Sequence, residues 1–203
     1  AAEQGNVSAQ NNLGAMYAQG DGVPENDAEA VKWYRKAAEQ GYAFAKFVLG
    51  FKYDHGEGVL KNDSEAVKWY KKAADQGHAS AQNNLGRMYA NGEGVPENDA
   101  EAVKWFRKAA EQGYAYAQHT LGRMYANGEG VPENDAEAVK WFRTAAEQGY
   151  AYAQYTLGIM YANGEGVPEN NIRAYVWWSM AKTQGDADAA TNIDILKPKM
   201  TPQ

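Results

Sequence analysis

The chain of 203 residues contains no cysteine. That absence excludes disulfide bridges, a thiolate nucleophile and zinc sites built on cysteine. No apolar run approaches the roughly 18 residues that a membrane-spanning helix requires. Neither sign of charge strongly predominates, because the chain has 20 lysine and arginine residues and 26 aspartate and glutamate residues. The net charge of −6 is modest, so we expect neither a nucleic-acid partner nor membrane insertion.

An internal repeat organises the chain. The block Ala-Ala-Glu-Gln-Gly occupies residues 1–5 and recurs with small changes every 36 residues as far as 181–185. A fixed period between about 20 and 50 residues indicates stacked supersecondary units. We therefore expect a single solenoid domain over residues 1–203. It divides into residues 1–4 as the end of a preceding repeat, five repeats at 5–40, 41–76, 77–112, 113–148 and 149–184, and a C-terminal segment at 185–203.

Each repeat has the pattern of two amphipathic helices. In the third repeat, Ala81, Leu85 and Met88 recur with helical spacing and predict a first helix, helix A. Ala102 and Phe106 belong to a similar pattern that predicts a second helix, helix B. No alternation of period two occurs, so strands are not expected and the predicted fold class is all-α.

The connector between the two helices, residues 92–99, carries turn and capping signals. Gly92 is suited to the left-handed residue that ends helix A, and Pro96 prevents the helix from continuing. Asn98 or Asp99 is predicted to cap helix B, and Asn98 with Glu101 resembles a capping box.

A glycine inside helix A recurs in every repeat and costs about 1 kcal/mol relative to alanine. We expect the cause to be a close approach of helix B at a small residue such as Ala102, where a Cβ atom would collide. The five glycines are Gly14, Gly50, Gly86, Gly122 and Gly158.

Both ends of the sequence predict a fragment of a longer protein. Residues 1–5 have the pattern of a repeat's tail, and residues 187–196 predict a capping helix. Thr201 and Pro202 suit the N-cap and first turn of a further helix.

The segment Leu-Gly-x-Met-Tyr-Ala-x-Gly-x-Gly-Val-Pro, followed by Ala-Val-Lys-Trp-Phe-Arg-Lys-Ala-Ala-Glu-Gln-Gly, resembles the Sel1-like repeat (SLR), a relative of the tetratricopeptide repeat. The resemblance implies a right-handed superhelical α/α solenoid of antiparallel helix pairs with a period of 36 residues. It also implies an adaptor or scaffold for protein complexes, and a bacterial protein that is exported or periplasmic rather than cytoplasmic. The sequence itself leaves the compartment open. One branch of this family is stapled by disulfides, and activities peculiar to that branch are not expected in a chain without cysteine.

Four positions of helix A change from copy to copy, although the rest of the helix is nearly constant. Their spacing of i, i+3, i+4 and i+7 places them on one helix face. In related superhelical repeats, helix A lines the concave groove and matching positions contact ligand peptides. We call these residues the helix A stripe: Ser8, Asn11, Asn12 and Ala15; Phe44, Phe47, Val48 and Phe51; Ser80, Asn83, Asn84 and Arg87; Tyr116, His119, Thr120 and Arg123; Tyr152, Tyr155, Thr156 and Ile159.

The stripe supplies the candidate partner-binding residues. For the second repeat, groove lining and packing between repeats explain the phenylalanines equally well. Arginine and aromatic anchors are typical of binding hot spots, which favours the groove for the fourth repeat. The predicted binding residues are Asn12, Phe44, Phe47, Val48, Phe51, Asn84, Arg87, Tyr116, His119, Arg123, Tyr152 and Tyr155.

Other repeated side chains fit structural roles. The alternating charges of helix B, such as Glu101 and Lys104, are typical of a solvated face with weak ion pairs. The tryptophans, which recur at a single position of helix B, are expected to be core residues: Trp33, Trp69, Trp105, Trp141 and Trp177.

No catalytic or cofactor site is predicted. The three histidines, His55, His78 and His119, lack metal-ligand spacing. Ser179 and Lys182 match a Ser-x-x-Lys motif, but its companion motifs are missing and chance explains the match. The expected function is a non-catalytic adaptor that binds a peptide or partner protein in the groove. One alternative is a scaffold that forms a homodimer through its apolar second repeat, and another is glycan binding by stacked tyrosines.

Overall fold

The computed structural model describes residues 1–200. Within them the chain forms eleven α-helices and no strand. Each repeat contributes a helix A followed by a helix B, and the predicted start of a further helix at Thr201 and Pro202 lies outside the described residues. The helices are α1 (Val7–Gln19), α2 (Asp27–Glu39), α3 (Ala43–His55), α4 (Asp63–Ala74), α5 (Ala79–Asn91), α6 (Asp99–Glu111), α7 (Ala115–Asn127), α8 (Asp135–Glu147), α9 (Ala151–Asn163), α10 (Asn171–Thr183) and α11 (Ala187–Met200).

The described residues form two compact units, residues 1–108 and 109–200. In the first unit, α1 packs on α2, α2 on α3, α3 on α4 and α4 on α5. In the second unit, α7, α8, α9, α10 and α11 pack in the same consecutive order. A helix, α11, is present where the sequence predicts a C-terminal one, and it extends beyond Leu196 to Met200.

Capping side chains start and stop the helices where the sequence predicts. Asn98 Oδ1 accepts a hydrogen bond from the Glu101 backbone N–H at 3.0 Å. The reciprocal half of the capping box is not made, because the Asn98 N–H donates to the Tyr89 carbonyl at 2.8 Å and the Glu101 carboxylate pairs with Lys104. Gly92 ends helix A with φ = 68°, the left-handed conformation that glycine adopts without strain.

Successive repeats touch closely at the connector. Gly94 has φ = 70°, and a Cβ atom there would collide with the backbone of Asp63 at the start of α4. The Ser64 hydroxyl donates to the Gly94 carbonyl at 3.1 Å. The second glycine of the connector is therefore required both by its dihedral angle and by the packing of one repeat on the preceding one.

The recurring glycine of helix A accommodates an aromatic ring, so the expectation of a small residue opposite it is wrong. A Cβ atom on Gly86 would lie 3.0 Å from Phe106 Cδ1, and one on Gly122 would lie 2.8 Å from Phe142 Cδ1. The ring stands at the core position of helix B, so close to the backbone of helix A that an added methyl group would require the ring to shift, slightly at Gly86 and more at Gly122. The other rings at this position are Tyr34, Tyr70 and Trp178.

The repeated tryptophans are core residues only in part. Trp69 and Trp105 are buried, whereas Trp33, Trp141 and Trp177 are half-buried. A lysine three residues later covers the ring in the first three repeats; for example, Lys108 Nζ lies 4.1 Å from the centre of the Trp105 ring. The residue after each tryptophan, which faces the glycine, is the more deeply buried ring.

The second repeat also buries two charged residues that no other repeat has, Lys52 and Asp54. Lys52 occupies a position held by methionine elsewhere, and its ammonium group contacts Asp27 at 2.7 Å and Glu57 at 2.6 Å. Burial is the largest single effect and lowers the pKa of Lys52, but the hydrogen bonds and charges of Asp27 and Glu57 together outweigh it, so the pKa is raised. The ion pairs link the start of α2 to the connector after α3.

Candidate functional site

The helix A stripe reaches the surface in part. Its first position is exposed in every repeat except the third, and three of the exposed residues are aromatic: Phe44 is 44%, Tyr116 46% and Tyr152 65% exposed. Asn11 and Asn83 are buried, so the prediction that all four positions line an open surface is wrong for these two. The amides of Asn12 and Asn84, which were named as binding residues, are exposed and half-buried respectively.

In the first unit, Phe44, Phe47 and His78 form an aromatic cluster. The Phe47 and His78 rings stack with their centres 4.6 Å apart, and Phe44 lies 6.1 Å from His78. Phe47 also contacts Tyr70 at 6.0 Å between ring centres. Desolvation by these rings lowers the pKa of His78, so the imidazole is neutral at pH 7.

The apolar stripe residues of the second repeat pack against the core as well as contributing to the surface. Phe47 and Phe51 pack against the core formed by α4 and α5, and Val48 packs against the core between α2 and α3. Phe51 further stacks on His55, with ring centres 3.9 Å apart. Phe44, at 44%, is the most exposed phenylalanine of this set.

The second unit contains the equivalent aromatic cluster, which we call the tyrosine cluster: Tyr116, His119, Tyr150 and Tyr152. His119 lies 5.5 Å from Tyr150 and 6.5 Å from Tyr152, and Tyr116 meets Tyr150 edge to face at 6.5 Å. Beneath the surface, His119 also contacts the buried ring of Phe142 at 5.5 Å. Two exposed tyrosines thus stand on a base of half-buried rings.

The electrostatics of this cluster keep its histidine neutral. Desolvation by the surrounding rings, with a smaller effect of the nearby Arg123 charge, lowers the pKa of His119 to about 4. Burial and the neighbouring tyrosines raise the pKa of Tyr150. His119 and Tyr150, at the base of the tyrosine cluster, are therefore uncharged at neutral pH.

The two arginines of the stripe have different surroundings. Arg87 contacts Asp54 at 2.6 Å and also pairs with Glu93. The buried Asp54 carboxylate additionally accepts a hydrogen bond from Tyr70 at 3.2 Å. Arg87 therefore has a structural role in joining α3 to α5, and that role uses its charge.

Arg123, at the equivalent position of the fourth repeat, is exposed. Within residues 1–200 its guanidinium group makes no ion pair and no hydrogen bond in the structure. The residue equivalent to Asp54 is Ala90, and Glu129, which is equivalent to Glu93, does not pair with Arg123. Arg123 lines a cleft of the second unit together with Thr156, Ile159, Met160 and Glu165. Of the two stripe arginines, it is the one whose charge is available to a ligand.

Two contributors to these clusters were missed by sequence reasoning. His78 and Tyr150 lie one residue before α5 and α9, outside the predicted stripe. Their signal was present, because this position carries a ring in four copies: Tyr42, His78, Tyr114 and Tyr150. Tyr155, by contrast, is half-buried against the core of the second unit, and its carbonyl accepts the Trp178 indole N–H at 3.0 Å.

The described residues contain no group of three or more histidine, aspartate and glutamate side chains placed to hold a metal ion. In the same part of the chain, no helix combines the length and apolar character needed to cross a membrane. The site offers exposed aromatic surface and the Arg123 guanidinium group, and the cleft that Arg123 lines also holds the carboxylates of Asp135 and Glu165.

Comparison with known proteins identifies the repeat. The model of the Sel1 repeat matches residues 7–42, 43–78, 79–114, 115–150 and 151–186 without a gap. A search of the curated proteins gave no match. The Sel1 repeat fold is generally a protein-interaction module and is typically non-catalytic.

Solved bacterial structures have the same fold. A protective antigen of uropathogenic Escherichia coli displaying an SLR fold is 40% identical, with a TM-score of 0.93 over 95% of this chain and 41% of that one. This chain therefore spans about two fifths of that protein's length. A Sel1 repeat protein from Oxalobacter formigenes is 42% identical, with a TM-score of 0.88 over 92% of this chain and 76% of that one.

An immunity protein from Pseudomonas aeruginosa is more distant, at 27% identity and a TM-score of 0.54 over 91% of this chain and 68% of that one. The all-α solenoid of antiparallel helix pairs with a period of 36 residues is thus confirmed. The five consecutive repeat matches and the two close structural relatives lead to one conclusion: the chain belongs to the Sel1 repeat family.

Proposed function

We propose that this protein is a non-catalytic adaptor whose helix A stripe binds a peptide or a partner protein, with the tyrosine cluster and Arg123 as its main contacts. The family resemblance predicts that this surface is concave. The main support for this proposal is that Tyr116 and Tyr152 are 46% and 65% exposed. Both lie over the packed rings of His119 and Tyr150. Rigid aromatic side chains beside an available arginine are the usual composition of binding hot spots.

The opposite face of each repeat supports this choice by contrast. On helix B of the fourth repeat, Lys140 pairs with Glu137 three residues earlier, and both side chains are substantially exposed. Such pairs contribute about 0.2–1 kcal/mol and offer a partner little that water does not. Exposed aromatic surface, in contrast, gains free energy when it is covered.

Self-association through the apolar second repeat is less well supported. Phe47 and Phe51 are largely engaged with the core of the first unit, which leaves Phe44 as the principal exposed ring. Glycan binding by the tyrosines stays an alternative, since the rings of the tyrosine cluster contact one another and the cleft lined by Arg123 also contains Asn127, Asp135 and Glu165.

The test uses a displayed library of random peptides selected on the immobilised protein. Enriched peptides are then titrated against the wild type, Tyr152→Ala, Arg123→Ala and the helix B control Lys140→Ala. We expect each of the first two variants to weaken binding by about tenfold or more, which corresponds to about 1.4 kcal/mol. Lys140→Ala is expected to bind as the wild type does, and all variants should melt within a few degrees of it.

The proposal is wrong if the enriched peptides bind Tyr152→Ala and Arg123→Ala as tightly as they bind the wild type. It is equally wrong if Lys140→Ala causes the larger loss, because the peptide would then occupy helix B.

A further inference from the structure

Two arginines of the second unit converge on one buried hydroxyl group. Arg143, on α8, and Arg173, on α10, each donate a hydrogen bond to the Tyr161 hydroxyl oxygen at 2.9 Å. The two donating nitrogen atoms are therefore no further apart than twice that distance. Tyr161 is buried, Arg143 is half-buried and Arg173 is exposed, so the pair of guanidinium groups can be reached from solvent.

Neither guanidinium group has a counter-charge. Within residues 1–200, Arg143 and Arg173 form no ion pair, and the tyrosine hydroxyl accepts their hydrogen bonds without supplying a negative charge. Glu147 lines the same cleft, but it is exposed and pairs with neither arginine in this part of the chain. Two positive charges held this close repel each other, and an anion bound between them would remove that repulsion.

The unpaired charge is particular to the fifth repeat. Arg173 and Val176 stand where the first four repeats have glutamate and lysine. In those repeats the two side chains form an ion pair, as Glu65 does with Lys68 at 2.6 Å. The fifth repeat therefore replaces a neutral pair by one positive charge and one apolar side chain.

The first unit contains the same kind of hydroxyl group with a single arginine. Arg35, which is equivalent to Arg143, donates to the Tyr53 hydroxyl at 2.6 Å, and the residue equivalent to Arg173 is Glu65. One arginine on this tyrosine is thus a feature that recurs between repeats. The second arginine is what the fifth repeat adds.

The chemistry of the arginine pair suits a phosphate group. Each guanidinium group presents several N–H donors in a planar fork, which binds phosphate oxygens through charge-assisted hydrogen bonds. A phosphate monoester has a charge of about −1.5 to −2 at pH 7, which matches two arginines better than the single charge of a carboxylate does. Val176 and the half-buried Trp177 line the same cleft and offer apolar surface to a carbon group attached to the phosphate.

We propose that Arg143, Arg173 and Tyr161 form a binding site for a phosphate group, which lies between the two guanidinium groups. The phosphate oxygens accept hydrogen bonds from both arginines, and Val176 and Trp177 contact the group that carries the phosphate. None of these residues belongs to the helix A stripe. The site is therefore separate from the proposed peptide surface, and its test is independent of peptide binding.

The test is a titration of the full chain with inorganic phosphate and with phenyl phosphate at constant ionic strength, followed by the NMR signals of the arginine side chains. We expect one saturable site, with the largest shifts at Arg143 and Arg173. Benzoate, which has the same ring but a single negative charge, should bind more weakly than phenyl phosphate by about tenfold or more. Tighter binding of phenyl phosphate than of inorganic phosphate would identify an ester as the ligand, and equal or weaker binding would identify free phosphate.

Two variants separate the arginine pair from a single arginine. Arg173→Glu restores the residue of the other four repeats, so it should fold normally and weaken phosphate binding by about tenfold or more. Arg35→Ala is the matched control, because Arg35 makes the same hydrogen bond to a tyrosine hydroxyl next to a glutamate position, and it should leave phosphate affinity unchanged. Both variants are checked by thermal melting.

Four results would overturn the proposal. Phosphate could shift all arginine signals without saturation, Arg173→Glu could bind phosphate as tightly as the wild type does, or Arg35→Ala could weaken binding to the same extent. Benzoate that binds as tightly as phenyl phosphate would show that a single negative charge is sufficient, and the site would then not be one for phosphate.

Discussion

The packing of an aromatic ring on each helix A glycine predicts that alanine substitutions, normally stabilising in a helix, will range from nearly neutral to clearly destabilising at positions that look identical in the sequence. Replacing a mid-helix glycine by alanine gains about 1 kcal/mol through helix propensity. Overpacking a tight contact costs about 1–3 kcal/mol. Which effect is larger depends on how close the new Cβ atom comes to the ring.

The structure orders the five positions. A Cβ atom would lie 3.0 Å from the ring at Gly14 and Gly86, and 2.8 Å at Gly122. At Gly50 and Gly158 the collision with Tyr70 and Trp178 is closer still. We therefore expect Gly14→Ala and Gly86→Ala to be nearly neutral, Gly122→Ala to be destabilising, and Gly50→Ala and Gly158→Ala to cost the most.

The expected magnitude can be measured by thermal and urea unfolding. At the tightest positions the net loss is about 2 kcal/mol, the upper overpacking cost less the propensity gain. For a chain of this length that is a fall in Tm of about 4–8 °C. If the ring is the cause, Phe142→Leu should reduce the cost of Gly122→Ala in a double-mutant cycle. Five variants that all raise Tm equally would refute the reasoning, as would a cycle with no coupling.

Three further predictions concern caps, charges and pH. Asn134 caps α8, because its Oδ1 accepts a hydrogen bond from the Glu137 backbone N–H at 3.0 Å. Asn134→Ala should therefore lower the free energy of unfolding by about 1 kcal/mol, measured by urea titration. Arg87→Ala should destabilise the fold clearly more than Arg123→Ala, because it leaves the buried Asp54 carboxylate without its cation; equal melting temperatures would contradict this. The pKa of His119 is lowered to about 4 in the folded chain, so the unfolded chain takes up the proton first as pH falls below about 6.5. His119 should therefore cost at most about 1.4 kcal/mol of stability per pH unit between pH 6.5 and 4, and the difference between wild type and His119→Phe should show this slope and flatten above pH 7.

Helix positions and caps could be predicted from local patterns because each depends on a few neighbouring residues. Gly92 and Asn98 are examples: the first needs a positive φ and the second a side-chain acceptor three residues before an N–H group. The partners across the repeat could not be predicted in this way. The glycine of helix A was assigned a small partner such as Ala102, although the ring of Phe106 takes that place.

The surroundings of the candidate site residues could not be predicted from the sequence pattern. Helical spacing identifies the residues that share a helix face but not how deeply each is buried. It therefore did not distinguish the buried Asn83 from the exposed Tyr152. Sequence also did not separate Arg87 from Arg123, because the acidic partner of Arg87 lies on the preceding helix A. The sequence position of His78, outside the stripe, hid its contact with Phe47.

The repeat period, the all-α class, the helix limits and the family follow from the sequence alone, because a period of 36 residues and its capping signals are properties of the chain read in order. Which side chains of a shared face are covered, paired or free was decided only by the tertiary structure. Depth and pairing are set by neighbours that are 18 to 36 residues away along the chain, and each repeat presents different neighbours to the same position. For that reason Arg87 is held by Asp54 whereas Arg123 is available, and the face that is lysine-covered on α4 is apolar on α10.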